Sequence, residues 1–336
     1  MIKDEELKQV IETLLLKITT KDEEIGRILV RDQFEQYDSR ITIWTIRKKE
    51  RDIKETTVTD LTEFPHIEVK ITYAPPSFFL DVLGGQKDVP FWQVATVVRL
   101  LNHSDIIYDP KGSIQEWVDQ VSNIEWKPEV IELKQKTTQV LLERMKKCLI
   151  EEMLADAYIW LLKAAEEAIC VPLMKNNAFN VGTATLMLDA LQSMDKNLYA
   201  YFSQLLQVSS FTPDRLKEAR EELELLADHL YTHNIKTNRE MWILAAFVSI
   251  NESERRLNHY LEARKNKNDS KFCQRLLESA IGELWQAFFL VAQNPRLDVK
   301  LDPPVVGSFW NWFGSSEINE QWFSDQERRI LDIIQK

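Results

Sequence analysis

The sequence predicts an α+β fold: a small mixed β-sheet flanked by helices in residues 1–125, followed by an all-α helical bundle in residues 126–336. Three observations predict it. Short β-branched segments with partial alternation are confined to the first part of the chain. Long stretches with apolar residues at helical spacing fill the remainder. The change of character falls near Pro128, after a short polar stretch. At 336 residues the chain exceeds one ordinary domain of roughly 100–200 residues. With 44% hydrophobic residues, 28% charged and only 8 Gly, it has the composition of a helix-rich globular protein without low-complexity tracts.

The first element is a helix over residues 4–18, where Leu7, Val10, Ile11, Leu14 and Leu15 make one apolar stripe. "IGRILVRD" (25–32) and "RITIWTI" (40–46) follow as an antiparallel strand pair, separated by a polar stretch. "TTVTDL" (56–61) and "HIEVKITY" (66–73) continue the strand signal. In the second of these Ile67, Val69 and Ile71 face one way, and Glu68 and Lys70 the other. The prolines of "APPSFF" end that strand, because proline cannot continue a central ladder.

After the Gly84–Gly85 turn, "PFWQVATVVRLLN" reads as a helix with Phe91, Val94, Val98 and Leu101 inward. "DIIYD" is a short strand, Pro110–Lys111–Gly112 turns the chain, and Ser113 is placed to cap the helix "IQEWVDQV". Beyond 126 the pattern is one or two long helices to about residue 169, another over 180–208, and one opened by Thr212-Pro213. In that last helix Leu216, Ala219, Leu223, Leu226 and Leu230 form the buried stripe. Helices over 238–264, 270–292 and 324–335 complete the set.

Composition also limits function. A net charge of −11 repels phosphate backbones on average, so nucleic acid is disfavoured as a partner. The longest apolar run, "WILAAFVSI", falls far short of the roughly 20 residues that span a bilayer. Three widely spaced cysteines imply neither a disulfide framework nor a zinc knuckle, and with no secretory pattern at the start a reduced cytoplasm is the expected setting.

The order of elements, with "IIYDPKG" as its most familiar local piece, resembles the polymerase-beta-like nucleotidyltransferase superfamily. It is most similar to the small two-domain members, including aminoglycoside-type enzymes and those accompanied by HEPN domains. The resemblance covers residues 1–125 by element order, and the rest only as a helical domain. It implies two magnesium ions held by acidic side chains against a nucleoside triphosphate, and a Gly-Ser turn whose backbone donors approach the phosphates. This chain departs from that pattern. No Gly-Ser lies between "ILVRD" and "YDSRI", and the place of Asp-x-Asp is taken by Asp38-Ser39-Arg40. Asp38 thus matches the first acid, Arg40 replaces the second, and Glu68 stands as a third.

A guanidinium in place of a carboxylate changes the local charge by about two units and repels the metal it should attract. Three readings follow. The first is a nucleotidyltransferase-like pseudoenzyme that binds a nucleotide or a protein partner, with Arg40 and Lys70 as metal-free phosphate ligands. The second is an active transferase that uses Asp38 and Glu68 with Mg2+ and a nucleoside triphosphate. The third is an interaction protein that uses the aromatic C-terminal loop around Phe309, Trp310, Trp312, Phe313, Trp322 and Phe323. Two lesser constellations complete the inventory. His229 and His233 stand at the four-residue spacing of a metal pair. Arg255 or Arg256 precedes His259 as in HEPN nucleases, but more closely than that pattern requires.

Overall fold

The computed structural model describes residues 8–13, 24–30, 40–49, 53–58, 68–85, 88–181, 184–205, 212–234, 240–268, 270–292 and 318–336. The chain divides into two compact units, Met1–Glu125 and Trp126–Lys336. The first is α+β and the second helical, as the patterning predicts.

The first unit is built on a five-stranded mixed sheet. Its strands are β1 (Glu24–Val30), β2 (Arg40–Arg47), β3 (Lys54–Val58), β4 (Glu68–Ala74) and β5 (Ser104–Tyr108), in the spatial order β3-β4-β2-β1-β5. β1 runs antiparallel to β2 and β5, β3 antiparallel to β4, and β2 parallel to β4. Alternation divides the sheet into two faces. On one, Leu29, Ile41, Ile43, Val69 and Ile71 form a buried cluster with Val10 of α1 (helical residues 8–13). The other is covered by α2 (Pro76–Leu83), α3 (Phe91–His103) and α4 (Ser113–Val121).

Prolines end β4 as expected, but they then open α2, a helix the sequence reading omits. Pro76 sits in its first turn, where the missing N–H has no partner to lose, and Phe78, Phe79 and Val82 are buried. Full burial of Phe79 contributes roughly 2–3 kcal/mol. Gly26 is fixed by packing on this side: a Cβ there would strike the Ile114 side chain and stand 2.5 Å from the Tyr108 carbonyl oxygen.

The turn from β5 to α4 corrects the expected cap. The N-cap position is Gly112 at φ 72°, a left-handed conformation that glycine adopts without Cβ strain, and Ser113 is already helical. The orphan N–H groups are met from further back: Asp109 Oδ2 accepts from the N–H of Ile114 at 2.9 Å and of Gln115 at 3.0 Å. A carboxylate serves this end better than a hydroxyl, because it also meets the positive end of the helix dipole.

The second unit opens with α5 (Pro128–Ile150) and α6 (Leu154–Lys175), joined by a connection in which Glu152 adopts φ 58°. Ala157, Ala164, Ala165 and Ala168 are fully buried along α6, where small side chains let neighbouring helices approach closely. The segment expected as one helix over 180–208 is two, α7 (Ala184–Met194) and α8 (Lys196–Leu205). The break falls at Asp195, whose Oδ1 accepts from the N–H of Asn197 and Leu198 and so caps the second helix. Asp at a junction competes with helix continuation, which the apolar spacing alone cannot reveal.

α9 (Pro213–Asn234) starts as predicted, with Thr212 Oγ1 accepting from the Arg215 N–H at 3.2 Å. Leu216, Ala219 and Leu223 are buried along it; the side chains of Leu226 and Leu230 lie outside the described residues. α10 (Glu240–Lys265), α11 (Ser270–Ala292) and α12 (Glu320–Gln335) follow, with α12 packed on α5 and α6. Of the aromatic loop, Phe309, Trp310, Trp312 and Phe313 lie outside the described residues. Phe323 is fully buried, and Trp322 lies against Tyr158 within this unit. Among the described residues no helix is long and apolar enough to cross a membrane.

Candidate functional site

The parallel pairing of β2 with β4 sets the geometry of the predicted site. Arg40 is the first residue of β2 and Glu68 the first of β4, and the two are register partners; Thr42 and Lys70 are partners in the next row on the same face. Adjacent strands stand about 4.8 Å apart, so Arg40, Glu68 and Lys70 occupy neighbouring positions at one corner of the sheet. Lys70 is half-buried there, while Val69 and Ile71 are buried on the opposite face, which is the alternation the sequence gives. Asp38, the other predicted acid, lies outside the described residues, as do the side chains of Arg40 and Glu68.

Asp109, at the end of the "IIYD" segment, does not join this corner. β5 runs in the same direction as β2 and β4, and Tyr108 stands in the row of Arg27 and Thr45. That row is five residues along β2 from Arg40, or about 17 Å. Its carboxylate is occupied as the α4 cap through Oδ2, and Oδ1 is buried without a hydrogen-bond partner. Glu68 therefore has two cationic neighbours and no acid from β5 beside it. A divalent ion needs several oxygen ligands and carboxylate charge; among the described residues, Glu68 is the acid that the β2–β4 register places at this corner. Among the described residues, this register sets the cationic Arg40 and Lys70 beside that one acid. Among the described residues, no group of three or more His, Cys, Asp and Glu side chains is placed to hold a metal.

Further along the same face an aromatic surface begins, which the sequence reading missed. Trp44, register partner of Thr72, stacks on Phe78 at 5.6 Å between centroids and meets Phe79 edge-on at 6.5 Å. Phe78 in turn lies 6.0 Å from Trp92, which is 49% exposed. Gln93 Nε2 donates to the Phe78 carbonyl oxygen at 2.8 Å and ties α3 to α2 beneath these rings. The signal was present in "RITIWTI": positions 40, 42 and 44 share a face by alternation, so Trp44 is aligned with Arg40.

The lesser constellations resolve differently. His229 and His233 lie on α9, but their side chains fall outside the described residues. Arg255 and Arg256 both reach the Glu252 carboxylate one turn back on α10, Arg256 at 3.2 Å, so the cations expected beside His259 are engaged by an acid of their own helix.

No protein-family model matches this chain, and no curated protein does. Among solved structures it shows a distant similarity to a nucleotidyltransferase-like protein from Exiguobacterium sibiricum 255-15. That match has 12% identity and a TM-score of 0.38, and covers 61% of this chain and 69% of that one. An overlap so shallow defines neither fold family nor activity.

Proposed function

We propose that this protein is a nucleotidyltransferase-like binding protein that holds the phosphates of a nucleotide without a metal pair. The observation that carries the reading is the register pairing of Arg40 with Glu68 beside Lys70. It brings two cationic residues beside Glu68, which supports a metal-free reading of this corner. Arg40 and Lys70 take the phosphate oxygens in this reading. Trp44 and Trp92, on the aromatic surface two rows away, offer a face for a base.

A thermal-shift titration with ATP tests it. The full chain is expected to gain stability saturably with ATP, and Arg40→Ala and Lys70→Ala are each expected to reduce the affinity by roughly tenfold, the size of one charge-assisted hydrogen bond. Absence of any saturable shift, or a shift unchanged in both variants, overturns the proposal.

A further inference from the structure

On the opposite face of the same sheet, the geometry points to a second anion site, formed by Arg47, Lys54, Tyr73 and Thr45 and suited to a phosphate-type dianion. At the end where Val10 packs, this face is apolar, with Leu29, Ile41, Ile43, Val69 and Ile71. One row on, the character reverses. Arg27 pairs in register with Thr45, Thr45 with Tyr73, and Tyr73 with Lys54, so four strands contribute one polar row, and Arg47 follows two residues beyond Thr45. Tyr108 extends the row to β5, its ring 5.9 Å from the Arg27 guanidinium.

Charge and hydrogen bonding both leave this row open toward a ligand. The Glu24 carboxylate, in register with Arg47, is taken by Arg27 in a buried ion pair at 2.7 Å. Arg47 lies 4.0 Å over the Tyr73 ring, and among the described residues neither it nor Lys54 has a carboxylate within ion-pair distance. Among the described residues of this row, Arg27, Arg47 and Lys54 stand with one acid, Glu24, an excess of positive charge that suits a dianion. Thr45, only 1% exposed, has a hydroxyl with no hydrogen-bond partner. A buried hydroxyl without a partner is disfavoured, and valine would fill the same space without that cost, so threonine here has a use once an oxygen acceptor arrives. Exposure falls from the sheet edge inward, from exposed Lys54 through half-buried Arg47 and Tyr73 to buried Thr45, which leaves an approach from the β3 edge. A guanidinium held against a ring keeps its in-plane N–H groups for bidentate contact with two phosphate oxygens. Free phosphate and the phosphate of a monoester share this chemistry.

Isothermal calorimetry on the full chain at fixed ionic strength tests the site, with inorganic phosphate and AMP as probes. Saturable binding of phosphate is expected. Arg47→Met should weaken it roughly tenfold or more, and exposed Lys54→Met, which does not threaten the fold, by a lesser factor. Thr45→Val should weaken binding severalfold while leaving far-UV circular dichroism unchanged. Lys136→Ala, an exposed lysine of α5 in the other unit, should leave phosphate binding unchanged, whereas a loss confined to Arg40→Ala would put the phosphate at the nucleotide corner. AMP binding more tightly than phosphate in an Arg47-dependent way identifies a monoester as the ligand, and equal affinity identifies free phosphate. The inference is overturned if phosphate does not bind saturably, if Arg47→Met and Lys54→Met both bind as wild type, or if only Arg40→Ala abolishes binding.

Discussion

Arg40 and Glu68 are register partners on the parallel strands β2 and β4, so a cationic residue stands beside the acid that the resemblance offers as a metal ligand. At strand spacing, a negative charge next to a bound phosphate costs about 1 kcal/mol even in water-like dielectric. Glu68→Gln is therefore expected to tighten ATP binding about fivefold in calorimetry. A loss of binding in that variant contradicts the assignment of this corner to anions.

The Asp109 carboxylate holds two N–H groups at the start of α4. Asp109→Ala is expected to destabilise the protein by about 1–2 kcal/mol in urea denaturation, the usual cost of a lost cap. Ser113→Ala, at a residue whose side chain makes no cap bond, should change stability by no more than about 0.5 kcal/mol. The reverse ranking would restore Ser113 as the cap.

Gly26 has no room for a side chain between Ile114 and the Tyr108 carbonyl. Gly26→Ala must move α4 or β5, and a loss of about 1–3 kcal/mol is expected in thermal denaturation. Pairing it with Ile114→Val, which trims the contact on the α4 side, should recover part of that loss.

On α6, burial pushes the Glu166 carboxyl up from its ordinary 4.5 to about 7, with Glu167 adding to the rise and Lys163 and Lys134 opposing it. A carboxyl that ionises later in the folded protein than in the unfolded one makes stability fall as pH rises between those two values. Glu166→Gln should therefore be more stable than wild type above pH 7, and that advantage should vanish below pH 4.5. Denaturation midpoints measured across pH 4 to 8 test this; a constant difference would show that Glu166 is not the group responsible.

The α+β architecture was legible because it rests on periodicity. Val69 and Ile71 point into one face and Lys70 away from it, as their alternation dictates, and the Thr212-Pro213 signature marks the true start of α9. What failed depends on contacts that spacing does not encode. α2 hides behind two prolines that read as a break, yet Pro76 is tolerated in its first turn while Phe78 and Phe79 supply the burial. Asp109 caps α4 across the Pro-Lys-Gly turn, a longer reach than the Ser113 signal suggests. For the site, residue types placed Arg40, Glu68 and Lys70 as candidates, but their grouping needed the parallel β2–β4 register, and parallel pairing between strands separated by β3 leaves no local mark. The row through Arg27, Thr45, Tyr73 and Lys54 was invisible for the same reason, since each member comes from a different strand.

The most direct test of the metal-free reading is the ATP dissociation constant measured by calorimetry in excess magnesium and again in EDTA. With Arg40 and Lys70 as the phosphate ligands, affinity in EDTA equals or exceeds that in magnesium, because the free nucleotide carries the greater negative charge. Binding that appears only with magnesium would contradict the account and return the site to metal-dependent chemistry.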